Sequence, residues 1–382
     1  MISMADKLTK FFNDFKDSEP NAKIKIGSGE WKSDKIEISY VSISSSIGPE
    51  AGTCSVELTQ PHEKIERDRK GRIKLDSDYA KIKAGEKLEV SLGYDNKLEP
   101  VFTGYISAFD VEYDSNQNVR FVIQGMDAKM WMMINKKTEL KKDKKKYSEI
   151  VKAICGDYST KLNNNKIDIS SEAAFEKEIY QRNESDFEFL SRISNLTGTL
   201  FFIDRTGKFY FISPSAKKNS RVSIEASGGV EHIRASVSVW GIPKSVEVAS
   251  INSDDYQKVV TGKATTSDKV GEGDEATKLT KNINNKNIIR IVDNTVQSAK
   301  EAKFLAESVY NRRNLGLAKL TAKIIGYPKV DLAAEIKIDG FDNPVDNKYI
   351  AVGIEHEYSS NPRRYNTILT LKANRVTPKK KF

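Results

Sequence analysis

The sequence is poor in the residues that most often carry chemistry: it has two cysteines and three histidines in 382 residues. Cys54 and Cys155 lie far apart in separate segments, which reads as two buried thiols and not as a disulfide framework. His62, His232 and His356 are isolated, and no Cys/His cluster has metal-ligand spacing, so neither a metal nor another cofactor is expected. No apolar run approaches the roughly 18 residues that a bilayer span needs. The segment from Met1 to Phe15 has no apolar stretch followed by a small-residue cleavage site, so no signal peptide is read there, and Met4 offers a second start. No glycine-rich phosphate loop follows a strand, and no nucleophile elbow occurs; Gly27-Ser28-Gly29-Glu30 reads as a turn. The expectation is a chain with no catalytic residues.

The chain does have charge. The formal net charge is +9, and much of the excess sits in two places. Seven of the eleven residues from Lys136 to Lys146 are lysine, and Lys379 to Lys381 close the chain. Such runs read as solvated loops or ends. A surface that reads nucleic acid interleaves aromatic residues for stacking, and the Lys136 to Lys146 run has none, so no specific nucleic-acid recognition is expected.

Hydrophobic periodicity divides the chain. In the first third, Ile36, Ile38 and Tyr40 alternate with polar neighbours, as do Leu88, Val90 and Leu92. Tyr105, Ser107, Phe109, Val111 and Tyr113 read as one face of a strand; Asp114 to Asn118 is a turn, and Val119, Phe121 and Ile123 alternate on the way back. Several short strands of this kind predict a sandwich or barrel. A small α/β stretch follows. Ile150, Val151, Ile154 and Tyr158 share a helical stripe. Ser185 and Glu188 form a capping box, and Gly198 stops the second helix ahead of a hairpin over 199–212. From Ser236 the chain returns to strands, broken by a polar stretch from Gly262 to Asn287 read as an exposed loop and by a helix capped by Ser298 and Glu301.

The units read this way are a helical segment over 1–20, a β module over 21–130, an α/β insertion with two helices and a hairpin over 131–214, a second β module with one helix over 215–376, and a basic tail over 377–382. Glu184 and Asp186 are tempting as a glycosidase carboxylate pair. They flank the Ser185 cap, where a helix dipole favours acidic groups, and that simpler reading is preferred. The sequons at Asn183 and Asn195 mean little without a secretory signal.

The stretch from Glu178 to Pro214 carries Tyr180, Gln181, Asn183, Glu184, Ser185, Asp186, Phe189, Leu190, Arg192 and Gly198 in order. This pattern resembles a signature of phage contractile-tail baseplate hubs: the late control gene D family, the hubs of larger myophages, and the N-terminal part of type VI secretion spike proteins. A second match holds Gly326, Pro328, Tyr349, Val352, His356, Tyr365 and Thr367; Ala333 and Ala334 stand where the family commonly has a glycine. Within that pattern His356 looks like a strand residue with a structural hydrogen bond.

The resemblance implies an α+β, mainly β fold with two β-barrel-like tube modules flanking a small α/β unit. It further implies a homotrimer that adapts a sixfold tail tube protein to a threefold spike protein. The spike would be a separate chain, because this one stops at Phe382 without a needle. Other baseplate proteins would surround it, and the chain would be made in the bacterial cytoplasm and built into the baseplate of a phage, a tailocin or another contractile injection system. The alternatives are a tail-associated cell-wall hydrolase and a receptor-binding tail protein.

Overall fold

In the computed structural model of the chain, the described residues are 6–31, 36–75, 79, 82–113, 118–140, 146–168, 179–213, 221–251, 258–279, 287–296 and 298–377. The turn read at Asp114 to Asn118, the lysines at 141–145, the two ends of the Glu178 to Pro214 stretch, part of the 262–287 segment and the basic tail lie wholly or mostly outside them.

A sheet of 14 strands runs through the molecule. Its backbone is a row of antiparallel strands in the spatial order Lys97–Tyr113, Val119–Met126, Thr53–Gln60, Glu37–Ser46, Asn347–Ser360, Arg363–Ala373, Ala318–Ile325 and Val230–Val237. The first four strands come from the N-terminal part of the chain and the last four from the C-terminal part. They meet where Tyr40–Ser46 pairs with Gly353–Ser359.

This arrangement corrects the expectation of two barrel-like modules: neither group of four strands closes on itself. Closure would need Glu37–Ser46 to pair with Lys97–Tyr113 of its own group. That edge is instead taken by Asn347–Ser360, and the path of paired strands stays open at both ends.

Alternation explains the strands. Cys54, Val56 and Leu58 point into one core with Val119, Phe121 and Ile123; Leu320, Ala322 and Ile324 point into another with Leu369 and Leu371. The helix Leu8–Phe15 ties the two cores together. Its Phe11 meets Tyr94 of the first core at 5.9 Å and Tyr327 of the second at 4.9 Å, between ring centres. Such aromatic pairs add about 1 kcal/mol each beyond their buried area.

The two groups of four are repeats of one plan. In Glu37–Ser46 a bulge at Ser39 breaks the register against Thr53–Gln60, and in Val230–Val237 a bulge at Glu231 breaks it against Ala318–Ile325. Lys97–Tyr113 is bulged at Ser107 against Val119–Met126, and Asn347–Ser360 at Val352 against Arg363–Ala373. The matched strands also occur in the same chain order. Each long strand pairs its first half with a neighbour, Lys87–Tyr94 in one case and Glu335–Asp339 in the other.

A bulge inserts one residue and turns the following side chains to the other face. For this reason Tyr105 does not share a face with Phe109, as the alternation alone predicts. Ile106 points into the sheet core, whereas Tyr105 joins Phe189, Phe201 and Phe209 in a third core. That core belongs to the α/β unit: helices Tyr147–Asp157 and Asp186–Thr197, the hairpin Leu200–Ile203 with Lys208–Ile212, and Asn164–Asp168 parallel to the last of these. Cys54 and Cys155 are buried thiols in different cores.

Two polar stretches are more structured than they read. Lys136–Leu140, the start of the lysine run, is a strand paired with Tyr180–Ser185. In the segment from 262 to 287, Val270 and Ala276 are buried in the second sheet core, held there by Asn374, whose side chain accepts from the Val270 amide at 2.9 Å. A small sheet of Val259–Ala264, Ser245–Ile251 and Ile288–Val292 lies under the helix Ala299–Asn314, whose Ser298 and Glu301 form the expected capping box.

Gly326 sits where the ring of Tyr365 crosses the backbone, and a β-carbon there would fall inside that ring. Gly326→Ala is therefore expected to cost about 3 kcal/mol through overpacking, read from the urea midpoint; an unchanged midpoint would show that the junction yields easily.

Candidate functional site

The first signature is a closed set of hydrogen bonds. The bulge between Lys136–Leu140 and Tyr180–Ser185 places Asn183 at φ 50°, a left-handed conformation that asparagine tolerates better than most residues. Its amide donates to Thr138 Oγ1 at 3.2 Å. Ser185 then caps the helix: its Oγ accepts from the Glu188 amide at 3.1 Å, and Glu188 Oε2 accepts from the Ser185 amide at 2.7 Å. Glu184 takes both ends of the Arg192 guanidinium at 2.8 Å, and Arg192 also donates to the Tyr180 carbonyl at 2.7 Å while lying over the Phe189 ring.

Asp186 is buried and saturated. One carboxylate oxygen accepts from Gln181 Nε2 at 3.0 Å; the other accepts from Lys137 Nζ at 2.7 Å and from the Tyr158 hydroxyl at 2.8 Å. Burial pushes its acidity down, but the hydrogen bonds from Lys137, Gln181 and Tyr158 outweigh it, so the carboxyl titrates below its usual range. Phe189 and Leu190 fill the third core, and Gly198 ends the helix at φ 69°. Glu184 and Asp186 thus face different partners, and neither addresses a cleft as a glycosidase pair would.

The second signature lies in the sheet. His356 is buried; its Nδ1 lies 3.1 Å from both Thr367 Oγ1 and the Tyr365 hydroxyl. Thr367 Oγ1 in turn accepts from the Tyr327 amide at 2.8 Å, next to Gly326 and Pro328. Burial, with the Arg205 charge nearby, lowers the imidazole from its usual 6.5 to about 3. The Tyr349 hydroxyl donates to the carbonyls of Pro344 and Val345, and Val352 is the bulge residue of its strand. The cavity beside His356, lined also by Ser45, Arg205 and Asp331, has a volume of about 10 Å³, enough for one water.

Sequence reasoning missed a buried lysine. Lys129 Nζ donates to the carbonyls of Glu50 at 2.6 Å and Gly48 at 3.4 Å, with Asp127 Oδ2 at 4.0 Å and the Phe201 ring beneath it. Burial lowers the lysine and raises the aspartate. Nothing in the local pattern marks Lys129, because its partners come from a loop distant in sequence. A wider groove of about 560 Å³ crosses the open face of the small sheet, lined by Ala249, Thr261, Val292 and an ion-paired row of Lys263, Glu247 and Arg290. It offers a single carboxylate.

The two edges that end the eight-strand row are among the exposed apolar surfaces of the described residues. Beyond Ser107, no strand among the described residues pairs with the outer edge of Lys97–Tyr113. Phe109, Val111 and Tyr113 are 41%, 41% and 53% exposed there. The outer edge of Val230–Val237 is equally without a partner strand; Val237 is 40% exposed, and Arg234 has no ion-pair partner among the described residues. The strand face read at Phe109, Val111 and Tyr113 is thus not buried. They lie opposite the buried Ile123, Phe121 and Val119, but no second layer among the described residues covers them.

Known structures share this arrangement. A 43 kDa tail protein of prophage MuSo2 from Shewanella oneidensis matches with a TM-score of 0.66 at 14% identity, over 92% of this chain and 98% of that one. A tail protein from Neisseria meningitidis matches at 0.64 and 12%, over 93% and 97%. A component of the type VI secretion system of E. coli matches at 0.59 and 11%, over 92% of this chain and 76% of that one. The chain therefore shares its fold with these phage-tail and type VI secretion proteins. By sequence, the family model described as the Alg8 N-terminal domain matches residues 67–360, and the chain belongs to that family. No curated protein matches.

Two measurements test the buried groups. Asp186→Ala strips partners from Lys137, Gln181 and Tyr158 and is expected to cost about 3 kcal/mol in chemical unfolding; a loss within error of zero would mean that water replaces the carboxylate. For His356, the unfolded chain binds a proton below about pH 6.5 that the folded chain refuses until about pH 3. Stability should therefore fall as pH drops across that window, by up to about 1.4 kcal/mol per unit from this group. His356→Gln should flatten the slope of the unfolding free energy there; an identical slope would contradict the assignment.

Proposed function

We propose that the chain is the structural hub of a contractile tail or injection baseplate, working as a homotrimer that joins a sixfold tail tube to a threefold spike. The observation that carries this reading is the repeat: two four-stranded groups, matched bulge for bulge, stand side by side in one sheet. Three copies of such a chain present six similar faces to the tube while keeping threefold symmetry for the spike. The likeness in fold to tail and secretion proteins supports the same role. So does the character of the buried polar clusters, in which Asp186 and His356 are committed to internal hydrogen bonds.

In this role the protein acts through interfaces. The tube docks on one end of the ring, the spike on the other, and neighbouring baseplate proteins surround it. Assembly follows synthesis in the bacterial cytoplasm.

Light scattering on the purified chain, alone and mixed with its cognate spike, is the direct check. A particle of three times the 42.9 kDa chain mass is expected. A chain that stays monomeric even with the spike would refute the hub assignment.

A further inference from the structure

We infer that the open face of the small sheet, centred on Ala249, is a docking site for an acidic amphipathic helix of a separate protein chain. The inference does not depend on the ring. It assigns a partner to a surface outside the 14-stranded sheet and its edges.

The sheet has two unlike faces. Ser245–Ile251 lies in the middle, antiparallel to Val259–Ala264 and parallel to Ile288–Val292. Toward the helix Ala299–Asn314 it buries Val246, Val248 and Ala264. That helix passes so close that a β-carbon at Gly262 would lie 2.3 Å from the Ala302 backbone. On the other face the register builds three rows of side chains. Lys263, Glu247 and Arg290 form the first; Thr261, Ala249 and Val292 form the second; Val259 and Ile251 form the third. The smallest of these side chains, Ala249, stands at the centre, so the face is a trough of about 560 Å³ and not a ridge.

Parallel strand pairs are as a rule covered on both faces. Here Ile251, Val259 and Val292 are 45%, 63% and 75% exposed, and no second layer among the described residues covers them. Apolar side chains gathered on one such patch mark an interaction surface. The cover that fits is a helix: one already closes the opposite face, and a second laid in the trough would set its apolar stripe over Ala249. Charge decides which helix. Glu247 takes Lys263 at 3.0 Å and Arg290 at 3.3 Å, so two cations share one carboxylate and the row keeps one positive charge. A carboxylate arriving beside them balances the row, whereas a lysine is repelled. A second copy presenting the same face would bring the same positive surplus, which disfavours it as the occupant.

A pair of model helices tests the site on the full chain. Both are labelled peptides of about 15 residues with a Leu/Ala stripe; one carries Glu beside the stripe and the other Lys. Fluorescence anisotropy is expected to show the acidic helix binding roughly tenfold more tightly than the basic one. Ala249→Arg, which fills the trough, should abolish binding. Val292→Ser should weaken it severalfold, and at so exposed a position it asks nothing of the core, so an unaltered melting curve separates lost binding from lost folding. Equal affinity for the two helices, or acidic-helix binding that survives Ala249→Arg, overturns the inference. Access to the face is read from Val292→Cys. Because Cys54 and Cys155 are buried, the new thiol should react with a thiol reagent at the rate of a free cysteine and be protected by the acidic helix. Protection without the helix would show that this chain or a second copy covers the face, and would overturn the choice of partner. Each of these outcomes leaves the hub reading as it stands, since that reading is judged by the trimer alone.

Discussion

Backbone groups of Tyr40–Ser46 and Gly353–Ser359 satisfy one another across the seam, and neither group of four strands could cover both of its edges without that exchange. The rest of the molecule is arranged around it. The two sheet cores lie on either side, the N-terminal helix bridges them through Phe11, and the His356, Tyr365 and Thr367 cluster sits on the seam strand and its neighbour. An unpaired buried amide or carbonyl costs on the order of 1–3 kcal/mol. A seam of seven facing residue pairs is therefore a strong constraint on how the two ends of the chain can lie.

The α/β unit is held differently. Its signature fixes a single bend, from the bulge at Asn183 into the helix capped by Ser185, and Glu184, Ser185, Asp186 and Arg192 find their partners within the unit. Asp186 is the centre: a short strand through Lys137, a helix through Tyr158 and its own strand through Gln181 all converge on one carboxylate. Such a residue set is what this bend requires. It therefore identifies the fold well while saying little about what the surface touches.

Much of this was legible in the sequence wherever the determinant is local. The capping boxes at Ser185 and Ser298, the stop at Gly198 and the returning strand from Val119 are each written within a few residues. Non-local determinants were not. Alternation alone puts Tyr105 on the wrong face, because a single extra residue at Ser107 reverses it, and no composition signal marks that bulge. Val270 and Ala276 lie in a polar stretch yet are buried, and Asn374, far along the chain, anchors the backbone at Val270. Lys137 reads as one lysine of a solvated run, yet it neutralises the buried Asp186. The barrel expectation failed for the same reason: which edge pairs with which is decided by residues at opposite ends of the sequence.

The two free edges differ from one another, and that difference gives the sheet a polarity. Ser107–Tyr113 carries Asp110 and Glu112, so two copies of this edge laid antiparallel about Val111 would set acid against acid; Val230–Val237 carries Arg234 instead. A contact between the two different edges would be head to tail, and a head-to-tail contact has no natural stopping point at two copies. Each chain added would leave the same two ends exposed until the last met the first. Whether such growth ends in a ring or runs on as a filament is a matter of angle alone, and the bulges at Ser39, Ser107, Glu231 and Val352 set that angle through the local twist they impose.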